Sequence, residues 1–278
     1  MTDPAADVVR PAAVEDFSRA SSLRAGATDD TFDAEVSAAW TIGGRPSGGY
    51  LLALLARAAT TLTGTPHVIA ASAHYLRSPE PGAVEVSGEV LRRGRSVSQA
   101  RVRMSQGGRP CVEALMSTGE LDPARTPRWD GGAGDGPPPA YEDGFRLPPH
   151  TPEGIPVEML NHVDLRFDQD STGMIEARPS GRGQLTGWLR LLSEDFDPIS
   201  LLYAIDAFPP ATFDTDSGCW MSTIEMSAYV RAVPAPGPVR VVTRTRLIDP
   251  PWVDQTCEVR DRTGRVVAQA TQLAKVLG

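Results

Sequence analysis

The sequence predicts an α+β fold built twice within one chain. An apolar run at helical spacing precedes four β-like segments, the same order recurs in the second half, and the turns between the strands match in kind.

The first periodic region runs from about Thr31 to Leu121. It opens with GGRPSGGYLLALLARAATTL (Gly43–Leu62), two glycine clusters followed by a helix apolar nearly all round, which should be buried. HVIAASAHYLR, AVEVSGEVLRR, SVSQARVRMSQ and PCVEALMSTGEL then read as antiparallel strands, separated by the turn signals SPEPG, RGR and GGRP. The second region runs from about Leu160 to Leu277. Its helix is expected over Asp197–Phe208 (DPISLLYAIDAF), and its strands in WMSTIEMSAYVR, PVRVVTRTRLI, WVDQTCEVRDR and RVVAQATQLAKVL. Between the regions, the Gly/Pro density of Pro123–Pro156 predicts a linker without regular structure. The expected units are residues 1–122, a linker over 123–156, and residues 157–278.

The halves also match in detail. Tyr75 and Arg77 fall opposite Tyr229 and Arg231, Pro81-Gly82 opposite Pro236-Gly237, and Gly108-Arg109 opposite Gly264-Arg265. These correspondences make an internal repeat.

Composition narrows the function. With 278 residues, 41% of them hydrophobic, the chain can bury one sizeable core or two smaller ones. A net charge of -8 without a basic run argues against nucleic acid as a partner. The N-terminus, MTDPAADVVRP, lacks the basic flank and apolar run of a secretion signal, and no stretch approaches the roughly 20 apolar residues of a membrane span. A cytoplasmic location is therefore expected. Cys111, Cys219 and Cys257 form no CxxC pair, and neither they nor the four histidines show metal-ligand spacing. No GxSxG or GxxxxGK[ST] string occurs.

A glycine-led buried helix followed by a long antiparallel sheet resembles the hotdog fold, and two copies in one chain resemble the acyl-CoA thioesterase II (TesB-like) family. The resemblance rests on Gly48-Gly49-Tyr50, His74-Tyr75-Leu76-Arg77-Ser78-Pro79 and Arg93-Gly94-Arg95-Ser96 in the first half. In the second it rests on Tyr203-Ala204-Ile205-Asp206, Thr223-Ile224-Glu225 and Val267-Ala268-Gln269-Ala270-Thr271-Gln272. It implies a double hotdog that hydrolyses a fatty or related acyl-CoA, with no cofactor, since coenzyme A is part of the substrate. It further implies that Asp206, Thr223 and Gln272 position and activate the hydrolytic water.

The chemistry is consistent with those residue types. Thioester hydrolysis needs a held water, a group to take its proton and donors for the oxyanion. A carboxylate can accept the proton, while a hydroxyl and an amide supply the remaining hydrogen bonds. The repeat acts as an internal control, because the first half carries Ala56-Arg57, Ile69-Ala70 and Met116 near the corresponding positions.

Gly48, Gly49 and Tyr50 are candidate substrate-binding residues at the helix start. His74 is a second candidate, set against a structural role on its strand. Arg93 and Arg95, with Arg92, either meet the coenzyme A phosphates or form a solvated turn. Asp214 and Asp216, in FPPATFDTDSGCW, read as solvated loop charges, and Trp188, Trp220 and Trp252 as packing residues.

Three alternatives stay open: an acyl-carrier-protein thioesterase, a dehydratase, and a non-catalytic acyl-ligand-binding protein. The hotdog dehydratases carry an aspartate and a histidine joined by an asparagine-proline element, and no such string occurs in this chain. Because hotdog sheets pair edge to edge, the fused halves should pair within the chain, and a homodimer or higher homo-oligomer of the whole is expected.

Overall fold

The computed structural model describes residues 13–131, 138–215 and 219–277. Helix α1 (Gly48–Thr63) is buried on almost every side: Leu51, Leu52, Leu54, Leu55 and Ala56 are at most 2% exposed. It ends where Gly64 takes a left-handed conformation (φ 68°), the usual glycine stop.

The strands of the first half are β1 (Thr31–Val36), β2 (His67–Tyr75), β3 (Gly82–Arg92), β4 (Val97–Gln106) and β5 (Arg109–Gly119). Those of the second are β6 (Val163–Phe167), β7 (Gln184–Leu191), β8 (Met221–Val230), β9 (Val239–Arg244), β10 (Trp252–Arg260) and β11 (Val266–Val276). They join one antiparallel sheet in the order β1-β3-β4-β5-β2-β8-β11-β10-β9-β7-β6, with two-residue strands at its margins. This is the double hotdog the sequence predicts.

The eight strands expected after the two helices all form. The matched turns share backbone geometry: Gly82 and Gly237 have φ of 131° and 113°, and Gly108 and Gly264 have φ of 73° and 86°. The halves meet where β2 pairs with β8, placing His74 opposite Glu225 and Ala71 opposite Ala228. His74 and Ala228 are equivalent in the repeat, as are Ala71 and Glu225, so the junction has an approximate two-fold axis.

The second half departs from expectation at its helix. Only α2 (Leu201–Ala204) forms, a single turn rather than a helix over Asp197–Phe208. Pro209 and Pro210 deny Phe208 a helical continuation. At the other end Asp197 Oδ1 accepts from the Ser200 amide (2.6 Å) and closes the segment locally. Strands β6 and β7, which precede α2, were not expected.

The linker is also more ordered than its composition suggests, although residues 132–137 lie outside those described. Phe145–Arg146 pairs with Arg166 and Phe167 of β6. The Tyr141 hydroxyl donates to the buried Asp164 carboxylate (2.7 Å) while Arg166 lies over the Tyr141 ring. Trp188 packs as expected, its indole N–H donating to Pro139 O (2.9 Å), whereas Trp252, also read as a packing residue, is 48% exposed at the start of its strand.

Candidate active site

The two halves also touch through their helices. Gly49, in the first turn of α1, packs so closely on α2 that a Cβ there would lie 2.5 Å from Leu202 O and 2.9 Å from Asp206 Cβ. A Cβ on Gly48 would lie 3.0 Å from Asp206 Oδ2 and 3.2 Å from the Tyr75 ring. The Gly-Gly pair therefore lets Asp206, just beyond α2, reach the start of α1. There Asp206 Oδ2 accepts a hydrogen bond from the Gly49 amide (2.8 Å). Unpaired amides and the helix dipole favour negative charge at this point.

Burial outweighs that help. It pushes Asp206 up to about 6, against the opposing pull of the Gly49 amide, the Ser47 hydroxyl and the Gly48 amide. Asp206 nevertheless keeps partial contact with solvent. It can therefore change protonation state near neutrality with water at hand, as a general base must. Its charge is felt nearby. The half-buried Tyr75 and the buried Tyr203 and Cys257 are all raised by desolvation first and by Asp206 second.

Thr223 and Gln272 form the second part. The Thr223 hydroxyl donates to Gln272 Oε1 (2.7 Å), and Gln272 is 5% exposed. The contact depends on a register shift in β8. Thr223 pairs with Ala274, but Glu225 pairs with Leu273 and Met226 with Gln272. The extra residue lets Thr223 and Met226 both face inward although they are three apart. In the first half β2 carries a shift one residue earlier, between Val68 and Ala70, and Ile69 and Met116 stand at the positions equivalent to Thr223 and Gln272.

The segment α2 packs against β8 and β11, the strands that carry Thr223 and Gln272. The segment that leads into Asp206 therefore neighbours the strands of Thr223 and Gln272. Among the described residues no hydrogen bond joins Asp206 directly to the other two.

Gln255 is a neighbour that sequence reasoning missed. It lies opposite Gln272 on β10, is 2% exposed, and accepts the Ala211 amide through Oε1 (2.8 Å). It thereby pins the loop after Asp206 against β10, beside the strand that carries Gln272. Its place in the inward alternation of β10 was the available signal. Ser47, also missed, immediately precedes the Gly-Gly pair.

The remaining candidates separate from this region. Tyr50 is fully buried, which raises its pKa to about 12, and its hydroxyl donates to Ala20 O (2.8 Å). His74 is exposed and, on a strand, faces away from its neighbour Tyr75. Arg93 donates to Leu62 O and Thr63 O, both at 2.8 Å, and so closes the C-terminal end of α1. That end lies about 24 Å from the Asp206 end, given the rise of a 16-residue helix. Arg92 and Arg95 are exposed on the same turn.

Asp214 corrects the reading of a solvated loop charge. It is 1% exposed and accepts from the Ser180 amide (2.8 Å), the Ser180 hydroxyl (2.7 Å) and the Gln184 amide (3.2 Å). Asp216 lies outside the described residues. The three cysteines are free, and no helix among the described residues is long and apolar enough to cross a membrane.

Fold and site together define a double-hotdog protein of the thioesterase type. Residues 36–119 match the acyl-CoA thioesterase N-terminal domain and residues 134–276 the acyl-CoA thioesterase C-terminal domain. The chain belongs to the acyl-CoA thioesterase family.

It is 33% identical over 264 residues to uncharacterized proteins of Mycobacterium bovis and Mycobacterium tuberculosis, covering 88% of this chain and 90% of each relative. Among solved structures, a Thermobifida fusca protein provisionally named thioesterase II is 28% identical, with a TM-score of 0.86 over 96% of this chain and 99% of that one. An acyl-CoA thioesterase II, TesB2, from Mycobacterium marinum shares the fold at 15% identity, with a TM-score of 0.68 over 94% of this chain and 96% of that one.

Proposed function

We propose that this protein hydrolyses an acyl-CoA to a free acid and coenzyme A, using water activated at Asp206, Thr223 and Gln272. The observation that carries the reading is the state of Asp206: a carboxylate at a helix start, desolvated to a pKa of about 6 yet reached by solvent.

In this reading water donates a proton to Asp206 while Thr223 and Gln272 hold its oxygen in line with the carbonyl carbon. The Thr223 hydroxyl hydrogen is committed to Gln272, so Thr223 Oγ1 offers the water a lone pair and the Gln272 amide N–H groups remain for donation. After attack, the proton on Asp206 passes to the departing thiolate. Met116 and Ile69 leave the equivalent position of the first half without polar groups, which supports one site per chain.

The same proposal covers a cytoplasmic place of action, where coenzyme A thioesters are turned over, and association into a homodimer. The test is thiol release from a panel of acyl-CoA chain lengths by the wild-type protein and by Asp206→Asn. The substitution should lower kcat by roughly 10² or more with little change in KM. Equal rates for the two proteins would refute the role of Asp206, and no release by either would refute the activity.

A further inference from the structure

Ser47 holds the N-cap position of α1, where a serine hydroxyl ordinarily accepts from an amide of the first turn. It makes no such bond. Asp206 takes the Gly49 amide instead, from the other half of the chain. The displaced hydroxyl is left buried, 5% exposed, with no partner in hydrogen-bond geometry, although it lies close enough to Asp206 to favour the charged carboxylate. An unpaired buried hydroxyl is costly unless something else uses it.

The neighbouring hydroxyls are already committed. Tyr75 donates to Gly48 O (3.0 Å), Thr223 to Gln272, and Tyr50 to Ala20 O. Tyr203 also has an unpartnered hydroxyl, but its ring packs into the aromatic cluster of Phe17 and Trp40, and no hydrogen-bond contribution from it reaches Asp206. Among the hydroxyls described around the partly exposed carboxylate, that of Ser47 thus has Asp206 alone beside it and no partner in hydrogen-bond geometry.

We propose that the Ser47 hydroxyl donates to the carbonyl oxygen of the bound thioester and stabilises the negative charge that develops there. The inference rests on the hydrolase reading above. Water oxygen bonds to the carbonyl carbon, its proton moves to Asp206, and the carbonyl π electrons move onto the oxygen facing Ser47. The intermediate then collapses, the carbon–sulfur bond breaks, and the thiolate takes the proton from Asp206. The products are the carboxylic acid and the thiol.

The test compares wild type, Ser47→Ala and Ser47→Thr on the acyl-CoA that the wild-type protein cleaves fastest, with kcat, KM, the pH profile and Tm measured for each. Ser47→Ala should lose on the order of 10² in kcat with KM little changed, as expected for one oxyanion donor. Its Tm should hold or rise, because an unpaired polar group is removed and no capping bond is lost. Ser47→Thr retains the hydroxyl and should recover most of the rate.

Wild-type kcat in Ser47→Ala would overturn the inference while leaving the hydrolase reading intact. So would a shifted acid limb with an unchanged plateau, which would assign the hydroxyl to Asp206 rather than to substrate. A wild-type protein inactive on every acyl-CoA would overturn the hydrolase reading and this inference together.

Discussion

The Gly49 amide donates to Asp206 Oδ2 across 157 residues of sequence, joining the start of the long helix in one half to the carboxylate of the other. This one bond fixes where the charge sits and limits what can occupy position 49.

Gly49→Ala should be destabilising. Its methyl group would meet Leu202 O at 2.5 Å and Tyr203 Cα at 3.0 Å, both rigid neighbours. Overpacking of this kind costs about 1–3 kcal/mol and should be visible as a lower urea midpoint. An unchanged midpoint would mean that the two helices part easily.

The rate should follow the ionisation of Asp206. With its carboxyl at about 6, kcat should rise with pH to a plateau above neutrality and stand at half its maximum near pH 6. A profile flat from pH 5 to 8 would argue against this group as the base.

Stability should respond in the opposite direction. A folded-state value raised above the ordinary carboxylate range means that the folded protein holds the proton more tightly than the unfolded chain does. The contribution of Asp206 is therefore greatest at acid pH and is lost as pH rises through about 6. Across that window the Tm of wild type should fall relative to that of Asp206→Asn, and parallel curves would contradict it.

Arg93→Ala should leave kcat and KM near wild type but lower stability by roughly 1 kcal/mol, because the side chain closes the C-terminal end of α1. A several-fold rise in KM with unchanged stability would instead restore a contact with coenzyme A.

Asp214→Ala should cost more, about 3 kcal/mol, because two amides and a hydroxyl lose their acceptor. Chemical denaturation measures the difference.

The strands were legible because alternation and turn residues report directly on a sheet with one buried face. The duplication was legible because paired turns such as Pro81-Gly82 and Pro236-Gly237 impose the same backbone demand twice. The second helix was overread, since apolar spacing over Asp197–Phe208 cannot show that Asp197 and two prolines confine it to one turn. Thr223 and Gln272 could be placed on their strands, but their contact depends on a bulge that shifts the register. Asp214 was misjudged because a charged residue in a loop reads as solvated until its backbone partners are known, and the bonds from the exposed Arg93 to Leu62 O and Thr63 O were hidden for the same reason. Ser47 could not have been singled out, because its isolation follows from a bond made by a distant residue.

The cross-half bond between Gly49 and Asp206 has a consequence for how such a chain can change. In a symmetric pair of identical subunits, any substitution appears at both ends of the axis, so a carboxylate placed at one helix start must also be placed at the other. Joining the copies into one polypeptide removes that constraint. One half can keep the glycine pair and the long helix while the other keeps the carboxylate, and the positions that mirror Thr223 and Gln272 can fill with Ile69 and Met116. Each half has become the obligate complement of the other, and mutations on either side of the axis are inherited as separate events.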